Sequence, residues 1–461
     1  MDTENRRPVN RGPREDGVRN MEGRRPQGQG QRPPQGQRPP QGQRPPQGQR
    51  PPQGQGQRPP QGQRPQQGRP MPDRRKPAAK NGGKKKIGPG KIALIAFEVL
   101  LLAALAFVIF KFVIPFSNSG HIEFSADDII INDEVQAGLQ STSGDAGDIN
   151  QNGDGKEEIQ SVSPSKMSGY KNIALFGVDS REGALSKNTR SDTIIVASIN
   201  EKTKECKLVS VFRDTYLNLS NDEYNKCNAA YAKGGPKQAI NMLNMNLDLD
   251  ITDFVTIGFE GLIDLVDAVG GVEINVTDSE IVHLNNYQIS MVGKSSDGET
   301  FTAEAGKDYT PVSKAGLQTL NGLQATAYCR IRYVGNDFQR TERQRAVIQA
   351  VVAKAKANPS AIINSADALF KKVYTSLDLS EILDILTDIG SYEIVDEAGF
   401  PDTKKLAGLN MGKKGSCLVP LTLEENVVWL HQFLFNQTDY QPSSAVKSYS
   451  EKIVRDASDY M

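Results

Sequence analysis

Ile92 to Ile114 is a run of about 23 residues, mostly Ala, Leu, Ile, Val and Phe, and it constrains the chain more than any other stretch. At about 1.5 Å per residue, a helix of that length crosses the hydrocarbon core of a bilayer. Lys and Arg crowd its N-terminal side and the far end offers only Lys111. The positive-inside rule therefore predicts a single-pass cell-membrane protein, with its N-terminus cytoplasmic and everything beyond Phe116 outside. About 90 residues precede the run and no small-residue cleavage site follows it, which favours an uncleaved signal anchor. Glu98 would cost roughly 2–3 kcal/mol if charged at depth, so a protonated carboxyl or a helix partner is expected there.

The zero net charge of the 461 residues conceals this division. Up to Lys91 there are 22 Lys and Arg against 6 Asp and Glu, about +16, which leaves about −16 for the remainder. Residues 1–91 are dominated by an Arg-Pro-Pro-Gln-Gly-Gln unit starting at Arg32, Arg38, Arg44, Arg50 and Arg58. With almost nothing to bury, this cytoplasmic tail is expected to be disordered and partly polyproline II. Lys84, Lys85 and Lys86 are close enough to the apolar run to touch anionic lipid headgroups. The tail lacks the aromatic residues that stack on bases, so no nucleic acid is expected as a partner, and no cytoplasmic partner can be read from its composition.

Residues 115–169 turn to Ser, Gly, Asn, Asp and Gln and read as a linker. Asp148 to Gly153 matches the first half of a calcium loop, but the twelfth position, where a bidentate Glu belongs, is Ile159. Globular texture covers 170–436, with a C-terminal tail at 437–461. Strands are predicted at Asn172 to Val178, Thr193 to Ile199, Cys206 to Phe212, Phe254 to Phe259, Val272 to Val276 and Ala325 to Arg332. Helices are predicted at Pro236 to Asn246, Glu260 to Val269, Thr341 to Ala357, Ala361 to Tyr374, Ser380 to Ile389 and Leu423 to Phe435. Strands and helices in this order predict one α/β domain, a mixed sheet with helices on both faces.

Five arginines, Arg330, Arg332, Arg340, Arg343 and Arg345, fall within about sixteen positions. On a strand ending at Arg332, the first two point the same way. Asp337 can cap the following helix, whose first turn carries Arg340 and Arg343 on one face. Cations there oppose the helix dipole, and an anion would relieve the conflict. The planar guanidinium fork suits phosphate, so the stretch reads as a diphosphate clamp. The alternative is a solvated basic face with its ion pairs.

If the first three strands form an antiparallel meander, Asp179, Asp192 and Arg213 share one edge, with a polar loop carrying Arg181 and Arg190 at its rim. Two carboxylates beside several arginines are either ion-paired or a magnesium site completed by water and phosphate oxygens. Other chemistries lack material. His121, His283 and His431 are scattered, no Gly-x-x-x-x-Gly-Lys loop is present, and Cys206, Cys227, Cys329 and Cys417 have no zinc spacing. The cysteines are even in number and permit either disulfides or reduced core residues.

The motifs from Asn172 to Ala357 resemble the LytR-CpsA-Psr family of bacterial envelope proteins. They include Leu-Phe-Gly-Val-Asp-Ser-Arg (175–181), Arg-Ser-Asp-Thr (190–193), Ser-Val-Phe-Arg-Asp-Thr (210–215), Val-Gly-Gly-Val (269–272), Arg-Ile-Arg (330–332) and Asp-Phe-Gln-Arg-Thr-Glu-Arg-Gln (337–344). The resemblance implies a phosphotransferase that moves a glycopolymer, of teichoic acid or capsule type, from a polyprenyl diphosphate carrier to peptidoglycan with Mg²⁺ or Mn²⁺. It implies metal binding by Asp179 and Asp192, diphosphate binding by Arg213, Arg330, Arg332 and Arg340, and a supporting role for Arg181, Arg190, Arg343 and Gln344. Phe212 stands where family members commonly carry Pro. Two further readings stay open: hydrolysis of the lipid diphosphate, and a non-catalytic envelope protein that binds lipid-linked glycan.

Overall fold

The computed structural model describes residues 100–143, 166–180, 185–293 and 302–461. The repeat tail, Glu98, the calcium-like stretch from Asp148 to Ile159 and Arg181 lie outside the described residues. The first described element is an apolar helix, Leu100–Ser117, with mostly exposed side chains. Its end is closed by Asn118, whose Nδ2 donates to the Ile114 carbonyl at 2.8 Å.

Then come β1 (Gly120–His121), α1 (Asp133–Ser143), β2 (Tyr170–Val178), β3 (Ser191–Asn200), β4 (Glu205–Val211), and the hairpin β5 (Tyr216–Asn218) and β6 (Tyr224–Lys226). The chain continues through α2 (Asn228–Leu247), β7 (Asp253–Ile257), α3 (Phe259–Ala268), β8 (Val272–Val276), α4 (Asp278–Val292), β9 (Gly316–Leu320), α5 (Gly322–Cys329) and α6 (Asp337–Ala357). Last are α7 (Pro359–Leu369), β10 (Val373–Thr375), α8 (Leu379–Thr387), β11 (Glu393–Phe400), the hairpin β12 (Leu406–Asn410) and β13 (Ser416–Pro420), α9 (Leu423–Phe435) and α10 (Ser444–Ala457).

Seven strands form one mixed sheet in the order β1-β10-β7-β2-β3-β4-β11. At its centre, β2, β3 and β4 make the antiparallel meander that the sequence predicts. β7 runs parallel to β2 and β11 parallel to β4. The two-residue period of the strands sorts their side chains. Ala174, Phe176, Ile194, Val196, Val209 and Val211 join the main core with residues of α2, α9 and α10. Ile195, Ala197 and Leu208 face the other way and are closed over by Ile348 of α6. Helices therefore cover both faces, as expected for this α/β class.

Three expectations need correction. The predicted tail 437–461 belongs to the domain, because Val446, Ile453 and Ala457 of α10 are fully buried in the main core. Spacings of seven and four residues put these three on one helical face. The predicted linker 115–169 is not all linker. β1 pairs with β10, Val135 of α1 enters the main core, and Asn132 Nδ2 donates to Asp248 Oδ1 at 2.6 Å.

Finally, the predicted strand Ala325 to Arg332 is α5 followed by a turn. Asn321 and Gln324 form a capping box in which each side chain accepts from the other's backbone N–H, and this starts a helix too short to show its period. Gly322 fits there because a Cβ would lie 2.2 Å from the Ile263 carbonyl oxygen.

Candidate active site

The end of β2, the start of β3, the N-terminus of α3, the end of α5 and the first turns of α6 enclose a pocket of about 170 Å³. That is room for a headgroup, not for a polymer, given that drug-sized ligand sites run to roughly 300–1,000 Å³. Its lining includes Asp179, Asp192, Arg330, Arg332, Arg340 and Gln344 on the polar side, and Val178, Ile257, Phe259 and Leu262 on the apolar side. Gly258 caps α3 and also lines the pocket, so the positive end of that helix faces the same space.

Asp192 is the hub. Arg213 Nη1 donates to its Oδ1 at 2.7 Å and Arg332 Nη2 to its Oδ2 at 3.0 Å, while Arg340 Nη2 donates to its backbone carbonyl at 3.1 Å. The meander geometry thus brings the end of β4 to the start of β3, as expected. Burial alone would raise the Asp192 carboxyl, but Arg213, Arg340 and Arg332 outweigh it and hold the group below its ordinary value. Arg213 moves the other way: burial works against its charge, and Asp192, Asp214 and Asp337 more than restore it. It touches the hub without lining the pocket.

Arg340 is 2% exposed. Its Nη2 sits 3.0 Å from Asp337 Oδ1, yet Nε and Nη1 have no partner. Burial, reinforced by Arg213 and Arg332, pulls its pKa below the ordinary arginine value. The helix that carries it starts at Asn336, whose side chain accepts from the Phe338 N–H at 2.9 Å; Asp337, expected as the cap, is the first helical residue. Gly335 supplies the turn before it at φ +80°, a conformation that costs a residue with a Cβ.

Arg343 departs from the expectation. It does not share the pocket face with Arg340; the residue that does is Gln344, one full turn on, whose buried Oε1 has no partner. Arg343 turns to Glu280 of α4 at 2.6 Å and donates to the Ile331 and Val334 carbonyls. It braces the turn that carries Arg332. Arg190 is exposed at the rim and makes no ion pair among the described residues.

Arg330 and Arg332 both line the pocket despite the loss of the strand, because buried Ile331 anchors the turn between them. Arg330 lies over the Phe259 ring at 4.3 Å and the Tyr287 ring at 5.4 Å. Sequence reasoning did not assign Phe259, Tyr287, Asp337 or Glu280 to the site. Only Asp337 left a signal, an acid three residues before Arg340 in a first turn.

Phe212 does not displace Arg213. Its ring packs on Phe338 with centroids 4.5 Å apart, and Gly399 leaves the space, since a Cβ there would lie 2.3 Å from Phe212 Cζ. The four cysteines are free. Cys329 lines the pocket, but burial pushes its thiol up to about 12, so it is a neutral wall and not a nucleophile. None of the three histidines lines this pocket. Among the described residues, no group of three or more His, Cys, Asp or Glu could hold a metal. Asp179 and Asp192, both on the pocket wall, could supply two oxygen ligands.

The mixed sheet and the arginine-lined pocket define an α/β domain with a site suited to an anion. The model of the LytR_cpsA_psr family matches residues 137–408, more than half of the chain, and the chain belongs to that family.

The chain is 33% identical over 238 residues to the polyisoprenyl-teichoic acid–peptidoglycan teichoic acid transferase TagU of Enterococcus faecalis, covering 51% of this chain and 64% of that one. It is 32% identical over 266 residues to biofilm regulatory protein A of Streptococcus mutans, covering 53% and 60%. The match thus spans less than two thirds of either relative. A TagU from Bacillus subtilis is 33% identical over 239 residues, covering 51% and 68%. Among solved structures, Bacillus subtilis TagV aligns at 26% identity and a TM-score of 0.45, covering 59% of this chain and 98% of that one.

Proposed function

We propose that this protein is a membrane-anchored phosphotransferase that moves a glycopolymer of the teichoic acid type from a polyprenyl diphosphate carrier to peptidoglycan. The observation that carries this reading is Arg340, a buried guanidinium with two nitrogens, Nε and Nη1, unmet on the wall of a pocket that also holds Arg330 and Arg332. A buried cation with idle donors is costly, and a phosphate anion is the ligand that relieves it. Arg213, Arg330, Arg332 and Arg340 then hold the diphosphate and stabilise charge as the phosphoryl group is transferred. Val178, Ile257, Phe259 and Leu262 give the first isoprene units an apolar wall.

Asp179 and Asp192 fit Mg²⁺ or Mn²⁺, which take one or two carboxylates and fill the remaining positions with water and phosphate oxygens. A bound ion would neutralise the diphosphate and polarise the transferring phosphorus. Both Asp192 oxygens are engaged by arginines, so the half-exposed Arg332 is the side chain free to yield to it. The helix Leu100–Ser117 supports a membrane anchor, and the excess of Lys and Arg before it supports a cytoplasmic N-terminus with the domain outside. The names of the TagU relatives support teichoic acid as donor polymer and peptidoglycan as acceptor.

The test is the full chain with a polyprenyl-diphosphate glycan, Mg²⁺ and peptidoglycan fragments. Polymer joined to the fragments is the expected product, and Arg332→Ala is expected to abolish it while the far-ultraviolet spectrum stays native. Release of phosphorylated glycan alone would instead identify a hydrolase. Wild-type transfer by Arg332→Ala would count against the scheme.

A further inference from the structure

The apolar helix carries one charged side chain among its described residues, and that side chain marks a joint. Lys111 Nζ donates to Asp367 Oδ1 at 2.7 Å and to the Asn364 carbonyl at 2.6 Å, both on α7. Next to it, Phe112 is 7% exposed and packs with Ala366 and Phe370, and Phe116 meets the Phe370 ring edge-on at 5.6 Å. The helix widens into π-type turns over Ile109–Val113, an irregularity that recurs at sites selected for something other than helix stability.

The apolar run from Ile92 to Lys111 counts 20 residues, and a helix of that length would be roughly the hydrocarbon thickness, so on the anchored reading Lys111 falls at the outer boundary of the core and its partners at the headgroups.

Little slack follows. The helix ends at Ser117 and β1 begins at Gly120, already hydrogen-bonded to β10 at the edge of the main sheet. Gly120 belongs in that join, because a Cβ would lie 2.7 Å from Tyr374 Cδ2. From α7 the structure leads directly to the pocket. α7 packs on α3, Lys372 just beyond α7 pairs with Asp264 of α3 at 2.7 Å, and Gly261 of α3 lets the Lys372 carbonyl approach closely. Phe259 and Leu262 of α3 line the pocket.

We propose that Lys111, Phe112 and Phe116 form a fixed joint with α7 that sets the height and orientation of the pocket's α3 wall over the bilayer, and so governs access of a membrane-embedded lipid diphosphate. This rests on the anchored-transferase reading above. The three side chains act as positioning residues: none lines the pocket.

The full chain in phosphatidylglycerol–phosphatidylcholine vesicles tests it with two donors, one on a long membrane-embedded polyprenyl chain and one on a short water-soluble chain. Asp367→Lys is expected to lower turnover of the embedded donor about tenfold, since small displacements of a reacting group cost that much or more. It should leave the soluble donor unaffected, and the swap Lys111→Asp/Asp367→Lys should restore the embedded rate. Equal loss on both donors, or no loss on either, overturns the proposal.

If the wild type turns over neither donor, the transferase reading fails, and the joint is judged by a second measurement. A fluorophore on Ala368→Cys is expected to be quenched by spin-labelled headgroups, and less so when Asp367→Lys is added. Equal quenching in both proteins overturns the joint.

Discussion

Arg340 and Arg343 lie three positions apart on one helix, both buried, at 2% and 6% exposure, and the regions they enter have opposite character. Around Arg343 every charge is answered. Glu280 takes Nε, two carbonyls take the remaining nitrogens, and although burial would raise the Glu280 carboxyl, Thr277 and Arg343 hold it below its ordinary value. Around Arg340 only Nη2 is satisfied. Neither charge nor burial separates these two arginines; the unmet donors of Arg340 on the pocket wall do.

Arg343→Ala sets the largest effect at the first region. With Glu280 left buried and unpaired, stability should fall by about 3–5 kcal/mol in a denaturant titration. An unchanged midpoint would erase the distinction. Arg340→Ala is next: it should lower glycan transfer about 10²–10³-fold, equivalent to roughly 3–4 kcal/mol of barrier, with a smaller stability loss than Arg343→Ala.

A pH series sharpens the same contrast. The lowered Glu280 pKa means that its pair contributes stability above the ordinary value of 4.5, which is lost as pH falls through the folded-state value. The stability gap between wild type and Glu280→Gln should therefore narrow below pH 4.5. Arg190→Ala, at the exposed rim, is expected to change stability by no more than about 0.5 kcal/mol. A larger loss would mean that the rim makes contacts beyond those described.

How much of this was readable beforehand follows from the range of the interactions. The meander edge was legible because it needs only strand order and a two-residue period, and Asp192 and Arg213 meet as that geometry requires. Arg343 was misplaced because its partner Glu280 lies 63 residues away, and nothing local distinguishes it from Arg340. The stretch Ala325 to Arg332 reads as a strand because the helix signal sits in the cap, Asn321 to Gln324, and not in the apolar pattern. The C-terminal helix and α1 read as tail and linker because most of their residues are polar. Their partners come from elements distant in sequence.

On the proposed function, the unmet donors of Arg340 on the pocket wall bind a diphosphate. Calorimetric titration of the full chain with farnesyl diphosphate and Mg²⁺ tests this most directly, comparing wild type, Arg340→Ala and Arg190→Ala. Wild type and Arg190→Ala are expected to bind alike, and Arg340→Ala to bind about tenfold or more weakly, as for a lost charge-assisted pair. Equal affinity in all three proteins would contradict it.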